Sequence, residues 1–220
     1  VLLNDQPLGS WCINTVHAGQ TLTIRPGRWG SWCYLAFAGQ LQCNRWLGSA
    51  ATHGPSGLGG GKLVTGGTLH VDDAKTRPDK HATIPCPVSS RPRHNIRIVL
   101  GPQDRFFGSH TIDALLSNPF SLTDAYDRMG ARLSGPPLHP AAPLDMPSEA
   151  IVRGAIQVAG DGVATVLLAD HQTTGGYPKI ATILSADLDG FAQLRSRDSV
   201  NFQSITPQTA IGAKRTRQHT

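Results

Sequence analysis

The stretch 163-VATVLLADHQTTGGYPKIATILSAD-187 decides the reading of this chain. Two runs within it, residues 165–169 and 180–184, are dominated by apolar and β-branched side chains and read as buried strands. Between them a glycine-containing loop packs Asp170, His171, Gln172, Thr173, Thr174, Tyr177 and Lys179 into ten residues. A plain connection between strands needs only a few turn residues. Polar groups of such variety, on a loop held by strands, point to binding or catalysis. Gln and Thr supply neutral donors and acceptors suited to an amide or lactam. Tyr177 offers a ring to cap a small ligand, and Lys179 a cation for a phosphate. The competing reading is an elaborate turn whose side chains satisfy its own backbone.

Working outward, the same signals recur. Residues 155–158, 163–169, 180–185 and 200–205 give a run of short strands in the second half. In the first half, residues 1–3 lead into the turn 4–7, residues 21–25 alternate before Pro26-Gly27, and residues 68–71 and 96–100 form further strands. The apolar run 32–38 (WCYLAFA) reads as a buried strand, with Cys33 a small buried residue inside it. Residues 104–117 form the expected main helix, ended by Asn118-Pro119, and residues 188–194 a shorter one. Residues 134–147, rich in Pro, read as an extended loop. The Pro/Arg-rich connector 85–94 marks a boundary between sub-lobes 1–90 and 91–210 of one domain spanning 1–220. Many short strands and few helices predict a mainly β fold with a closed or nearly closed barrel, which also removes exposed sheet edges.

Composition agrees. The chain has 24 Gly and 16 Pro in 220 residues, so turns are frequent and long helices few. Its acidic residues are Asp throughout, except Glu149, and Asp favours turns over helix interiors. The net charge of +5 is modest, and part of it sits in Lys214-Arg215-Thr216-Arg217, which reads as a solvated, disordered tail. No basic stripe interleaved with aromatics accompanies it, so nucleic acid is not an expected partner. No run approaches the roughly 20 apolar residues of a membrane span. Cys12, Cys33, Cys43 and Cys86 show neither zinc spacing nor a C-x-x-C pair, which fits a reduced, cytoplasmic protein. The nine histidines show no metal-binding spacing, and no metal is expected. The chain opens on Val1 inside what reads as a strand, so a preceding N-terminal segment is expected to be missing.

Other candidates carry weaker chemistry. Residues 57–62 (GLGGGK) look like a phosphate-binding loop, but Ser56 stands where the opening glycine belongs and Leu63 follows the lysine. A surface loop is the simpler reading. Asp127-Arg128 sets a carboxylate beside a guanidinium: Asp127 is a candidate base, and Arg128 a fork for a carboxylate or phosphate. On a regular strand the two would face opposite ways, which leaves a buried ion pair as the competing reading. Glu149, before the strand 155–158, reads as a turn or salt-bridge residue.

Several of these segments resemble the family of the 5-oxoprolinase C subunit, also called allophanate hydrolase subunit 2 or the KipA-type biotin-dependent carboxyltransferase domain. The matching stretches are 32–39 (WCYLAFAG), 47–52 (LGSAAT), 66–71 (GGTLHV), 98–107 (IVLGPQDRFF), 127–133 (DRMGARL), 148–158 (SEAIVRGAIQV) and 166–188. They run in the family's order across nearly the whole chain. The resemblance implies a cyclophilin-like β-barrel with a few short helices. It implies one member of an ATP-dependent 5-oxoprolinase assembly that opens 5-oxoproline to glutamate, inactive alone. Its partners would be a related-fold, KipI-type subunit and a third oxoprolinase subunit, with ATP as the cofactor of the assembly, held either by this chain or by a partner. Under it, Asp127 and Lys179 are the candidate catalytic residues, and Arg128, Gln172, Thr173, Thr174 and Tyr177 the candidate substrate-binding ones, all bordering one pocket. Two departures stand out: the family's Gly-Ser-Arg-Ser-Thr is Gly48-Ser49-Ala50-Ala51-Thr52, which lacks the arginine, and its usual Gly-Asp is Gly66-Gly67. One alternative is the carboxyltransferase part of a biotin-dependent urea carboxylase, although no Ala-Met-Lys-Met biotin-carrier motif follows. Another is a regulatory partner of a kinase inhibitor with no activity of its own.

Overall fold

The computed structural model describes residues 1–75, 82–141 and 146–217. They form two compact units, Val1–Gly27 with Cys33–Cys86, and Arg28–Trp32 with Pro87–Thr220.

The first unit is built from very short strands: β1 (Leu2–Leu3), β2 (Gln6–Pro7), β3 (Cys12–Ile13), β4 (Leu22–Thr23), β5 (Gln40–Gln42), β6 (His70–Asp72) and β7 (Ala82–Thr83). β1 pairs antiparallel with β2 and β4, β3 with β7, and β5 with β6. Asn4 and Asp5, at φ 47° and 64°, make the tight turn between β1 and β2. These two residue types tolerate left-handed backbone better than most, and a two-residue hairpin turn demands it. The expected turn over residues 4–7 is therefore half turn and half strand. Residues 57–62 lie outside helix and strand.

The second unit holds a closed barrel of seven strands. In chain order they are β8 (Asn95–Leu100), β9 (Phe120–Tyr126), β10 (Gly130–Ser134), then β12 (Ala155–Val158), β13 (Ala164–Leu167), β15 (Lys179–Ile183) and β16 (Ser199–Ser204). Around the barrel they run β10, β13, β12, β15, β8, β16, β9, and β9 closes onto β10. Every pairing is antiparallel except β16 with β8. Two further pieces, β11 (Glu149–Ala150) and β14 (Thr174–Gly175), make a small ribbon of their own. Ile96, Ile98, Phe120, Leu122, Leu133, Ile156, Val158, Val166, Ile180 and Phe202 fill the main core. A second cluster of Ile151, Ala155 and Leu167 packs residue 151 against β12 and β13. β12 is thus covered on both faces, and all four of its residues are buried.

The helices are short. The expected helix over 104–117 is split into a 3₁₀ turn, Asp104–Phe106, and α1, Ser109–Ser117, with Gly108 in extended backbone between them as the N-cap of α1. α2 (Ser185–Ala192) starts earlier than expected because its first turn is anchored by Asp187. That carboxylate is fully buried and takes Arg93 at 2.6 Å and Arg97 at 2.5 Å, along with the Arg97 backbone N–H at 3.0 Å. Burial pushes its pKa up, but the hydrogen bonds from Arg97 and the charges of Arg93 and Arg97 outweigh this and hold it below the usual carboxylate range. The same pairing raises the Arg97 guanidinium. Residues 214–217, expected as a disordered tail, continue α3 (Pro207–Arg217) in helical backbone.

The run 32–38 is not a strand. Every residue in it is exposed, Tyr34 at 88%, and Cys33 is exposed too. The reason is local. Residues 28–32 form a strap on the barrel unit, where the backbone N–H groups of Ser31 and Trp32 both donate to Gln193 Oε1, at 3.0 and 3.1 Å. The Trp32 indole donates to Tyr126 at 2.9 Å, and Arg195 donates to the Gly30 carbonyl at 2.9 Å. A strand needs a neighbouring strand for its N–H groups; here a side-chain amide takes those of Ser31 and Trp32, and residues 33–38 join none of the described strands. Among the described residues no helix is long and apolar enough to cross a membrane, and no group of three or more His, Cys, Asp or Glu converges on a metal position.

Candidate functional site

The loop between β13 and β15 lies wholly in the barrel unit, and its residues divide into three settings. At its start, Arg128 forks onto Asp170 through Nε and Nη2, both at 2.8 Å. The pair sits where the β9–β10 hairpin meets the end of β13, with the Asp170 N–H donating to the Arg128 carbonyl at 2.7 Å. Asp127 is in the hairpin turn rather than on a strand. Its Oδ1 accepts the backbone N–H groups of Met129 at 2.8 Å and Gly130 at 3.2 Å. That fixes the turn from which Arg128 projects.

In the middle, Gln172, Thr173, Thr174 and Tyr177 lie on the exposed surface of the loop. β14 pins them to β11, with Glu149 opposite Gly175 and Ala150 opposite Thr174, and the Ile151 N–H donates to the Thr173 carbonyl at 3.0 Å. Underneath runs a ladder of amides. Gln172 Nε2 donates to Gln157 Oε1 at 3.3 Å, and Gln157 Nε2 donates to the Tyr177 carbonyl at 3.4 Å. At Gly175 an added side chain would force its neighbours to shift. A Cβ there would stand 2.7 Å from Ile151 Cδ1 and 3.0 Å from Gln157 Nε2.

At the end of the loop, Lys179 is only 2% exposed. It pairs with Gln157 across β15 and β12, and directly opposed residues carry their side chains on one face. Among the described residues its buried Nζ has no hydrogen-bond partner, while Glu149 Oε2 lies 3.5 Å away as an ion pair. Gln103, itself 1% exposed, locks the arrangement. Its Oε1 accepts the Lys179 N–H at 2.9 Å, its backbone N–H donates to the Lys179 carbonyl at 3.1 Å, and its Nε2 donates to Glu149. Buried polar groups are as a rule satisfied. The Lys179 ammonium, with three N–H donors, is thus paired with Glu149 by charge alone and stands beside buried amides.

Of the seven residues expected at one pocket, Lys179, Gln172 and Tyr177 are therefore linked through Gln157. Thr173 and Thr174 hold the ribbon above it, and Asp127 and Arg128 belong to the neighbouring hairpin. Glu149, read as a salt-bridge residue, does form one, with Lys179. Sequence reasoning missed Gln103 and Gln157 as site residues. The available signal was a polar residue inside the otherwise apolar strand 155–158, and a Gln directly after Gly101-Pro102. A separate shallow hollow lies at the opposite ends of β10 and β13, lined by Phe120, Leu133, Pro136 and Val163 among others. Arg132, also on its wall, is held by Asp161 at 2.8 Å.

A triphosphate needs several converging cations or backbone N–H groups. Here Lys179 stands with a carboxylate beside it and Arg128 is forked onto Asp170, so the site does not fit ATP. A small ligand carrying an amide and one anionic group matches the donor set.

The chain resembles known proteins along most of its length. The family model described as carboxyltransferase domain, subdomain A and B, matches residues 1–204. The chain is 31% identical over 221 residues to the 5-oxoprolinase C subunit of Haemophilus influenzae, covering 98% of this chain and 69% of that protein. It is 32% identical over 204 residues to the 5-oxoprolinase C subunit of Escherichia coli, covering 91% and 65%. The chain thus spans about two thirds of the length of these relatives. Among solved structures, the urea carboxylase of Kluyveromyces lactis superposes with a TM-score of 0.70 at 21% identity, over 83% of this chain and 18% of that one. At that identity the likeness speaks for the fold.

Proposed function

Because this chain belongs to the carboxyltransferase domain family, subdomain A and B, we propose that it is one member of an ATP-dependent assembly that opens the lactam of 5-oxoproline to glutamate. The observation that carries this reading is the buried Lys179 ammonium, which is ion-paired with Glu149 but makes no hydrogen bond, at the foot of an amide ladder. 5-Oxoproline presents one carboxylate and one lactam. The carboxylate answers Lys179. The lactam N–H and C=O answer the Gln157 and Gln172 amides, with Tyr177 over the ring and Thr173 and Thr174 at the rim. Arg128, forked onto Asp170, braces the adjoining end of the loop. Asp127 acts by shaping the hairpin that aims it. The barrel is read as the cyclophilin-like type.

ATP, held by a partner, supplies the activation of the lactam oxygen that makes its carbonyl carbon open to water. The residues of this chain bind and orient the ring and keep bulk water from the ammonium. In water the Lys–carboxylate attraction is small, and in a buried site it is several-fold larger. A related-fold, KipI-type partner and a third protein complete the assembly in the cytoplasm. The isolated chain is inactive.

The test is co-expression with candidate partner subunits and measurement of 5-oxoproline-dependent glutamate release and ATP consumption. Glutamate release by the assembly, absent from each chain alone, is the expected result. Biotin-dependent carboxylation of urea, with no turnover of 5-oxoproline, would replace this reading with the carboxyltransferase one. The amide ladder suits urea or a ureido ring as well as a lactam. Neither activity in any combination, together with capture of a kinase inhibitor, would favour a regulatory role.

A further inference from the structure

We infer that Glu149 is the resting-state occupant of a carboxylate seat formed by Lys179 Nζ and Gln103 Nε2, and that it yields that seat to the carboxylate of an entering small ligand. The inference rests on the reading of Lys179 as facing the ligand. It adds a specific acceptor position and a side chain that competes for it.

The asymmetry within the ion pair supports it. The Lys179 side chain is 3% exposed and the Glu149 side chain 44%. A buried ammonium that loses its counter-charge is strongly destabilised, whereas a carboxylate already half in water leaves at little desolvation cost. Their separation is 3.5 Å and Lys179 Nζ makes no hydrogen bond, so the ammonium's donors are held close to a carboxylate yet left unused. The two donors of the seat are fixed. Gln103 is tied to the Lys179 backbone by its own N–H and its Oε1, so its Nε2 stays in place whichever carboxylate it serves. Glu149 is not fixed in the same way. It sits on the two-residue ribbon of β11 and β14, outside the barrel ladder, and two-stranded pieces of this length have little stability of their own. The seat suits a small monocarboxylate. Formate and acetate are the simplest members of that class and 5-oxoproline a larger one.

The test uses the purified chain and a simple probe. Melting temperature is measured against sodium formate at constant ionic strength for the wild type, Glu149→Ala, Glu149→Gln and Glu149→Ala/Lys179→Met. With Glu149 removed, Lys179 loses its counter-charge and the chain melts lower. Formate should restore the melting temperature of both single variants, with an apparent Kd at least about tenfold tighter than for the wild type, and should have no such effect on the double variant. The inference fails if the single variants show no formate-dependent recovery, if recovery survives Lys179→Met, or if neither single variant folds at any formate concentration. The last outcome would make Glu149 a permanent part of the fold. Formate rescue without oxoprolinase turnover in the assembly would sink the proposed function and keep the seat. Turnover without rescue would do the reverse.

Discussion

The two units of this chain use similar residues to different ends. The buried hydrophobic side chains, from Ile96 to Phe202, all lie in the barrel unit. Among the described residues of Val1–Gly27 and Cys33–Cys86 none is fully buried, although this unit carries Trp11, Tyr34, Leu35, Phe37 and Trp46, all exposed. Both sequences alternate apolar residues with turn signals. The difference is partnership. Each barrel strand has a neighbour on both sides and so buries one face or two, while the first unit pairs its strands in twos and threes over two or three residues. Apolar content drives burial only where backbone pairing holds the surfaces together.

The two units should respond very differently when one phenylalanine is truncated in each. Phe120→Ala removes a side chain 2% exposed that packs on Phe202 at 5.9 Å between ring centroids. It should cost about 3–5 kcal/mol. Phe37→Ala, at a residue 40% exposed, should cost less than about 0.5 kcal/mol. Equal losses in thermal melts would mean that the first unit has a core of its own.

Next in size is Asp187→Asn, which leaves Arg93 and Arg97 around an uncharged amide. Because both arginines are about one-third exposed, a loss near the lower end of the buried-pair range, about 3 kcal/mol, is expected. The pH dependence follows from the same carboxyl. Its folded-state pKa is depressed, so its contribution is full above the unfolded value of about 3.9 and is lost as pH falls through the folded value. The wild type should therefore lose barrel stability on acidification below about pH 4, and Asp187→Asn should lose less over that window. Parallel acid curves would show that another carboxylate governs.

Gln172→Ala should lower turnover of the reconstituted assembly at least about tenfold, roughly 1.4 kcal/mol, with the melting temperature nearly unchanged. Full activity would assign this residue to the loop's own packing. A modest effect is expected at Gly175→Ala. Its Cβ would push on Ile151 and on the Gln157 amide, costing about 1 kcal/mol of stability. Weakened 5-oxoproline binding beyond that loss would sharpen the assignment of the amide ladder.

Much of the barrel was legible because its strands carry their own signal. Residues 155–158 and 96–100 read as strands from β-branched and aliphatic runs, and β12 and β8 lie there. The run 32–38 has the same composition and misled, because strand formation depends on where a partner lies, and the Gln193 amide that takes the Ser31 and Trp32 N–H groups is more than 160 residues away in sequence. The polar loop was visible as a candidate site from density alone. Its sorting was not, since Asp127 looks like any acid until its oxygen is seen to cap Met129 and Gly130. Gln103 and Gln157 gave only a faint signal, because a buried amide gains its meaning from what it touches. Lys179 could be named from the sequence, but its lack of a hydrogen bond could not.

That ammonium also offers the most direct test. Lys179→Ala should be made in the reconstituted assembly and assayed at 5-oxoproline concentrations well below KM, where turnover reports kcat/KM, beside a thermal melt. A ligand-facing Lys179 predicts a fall in turnover of at least about tenfold, roughly 1.4 kcal/mol, with an unchanged or higher melting temperature, because a buried charge without hydrogen bonds contributes little to the fold. Full turnover in the variant, or loss of the folded barrel with it, would contradict the claim that Lys179 is held for a ligand.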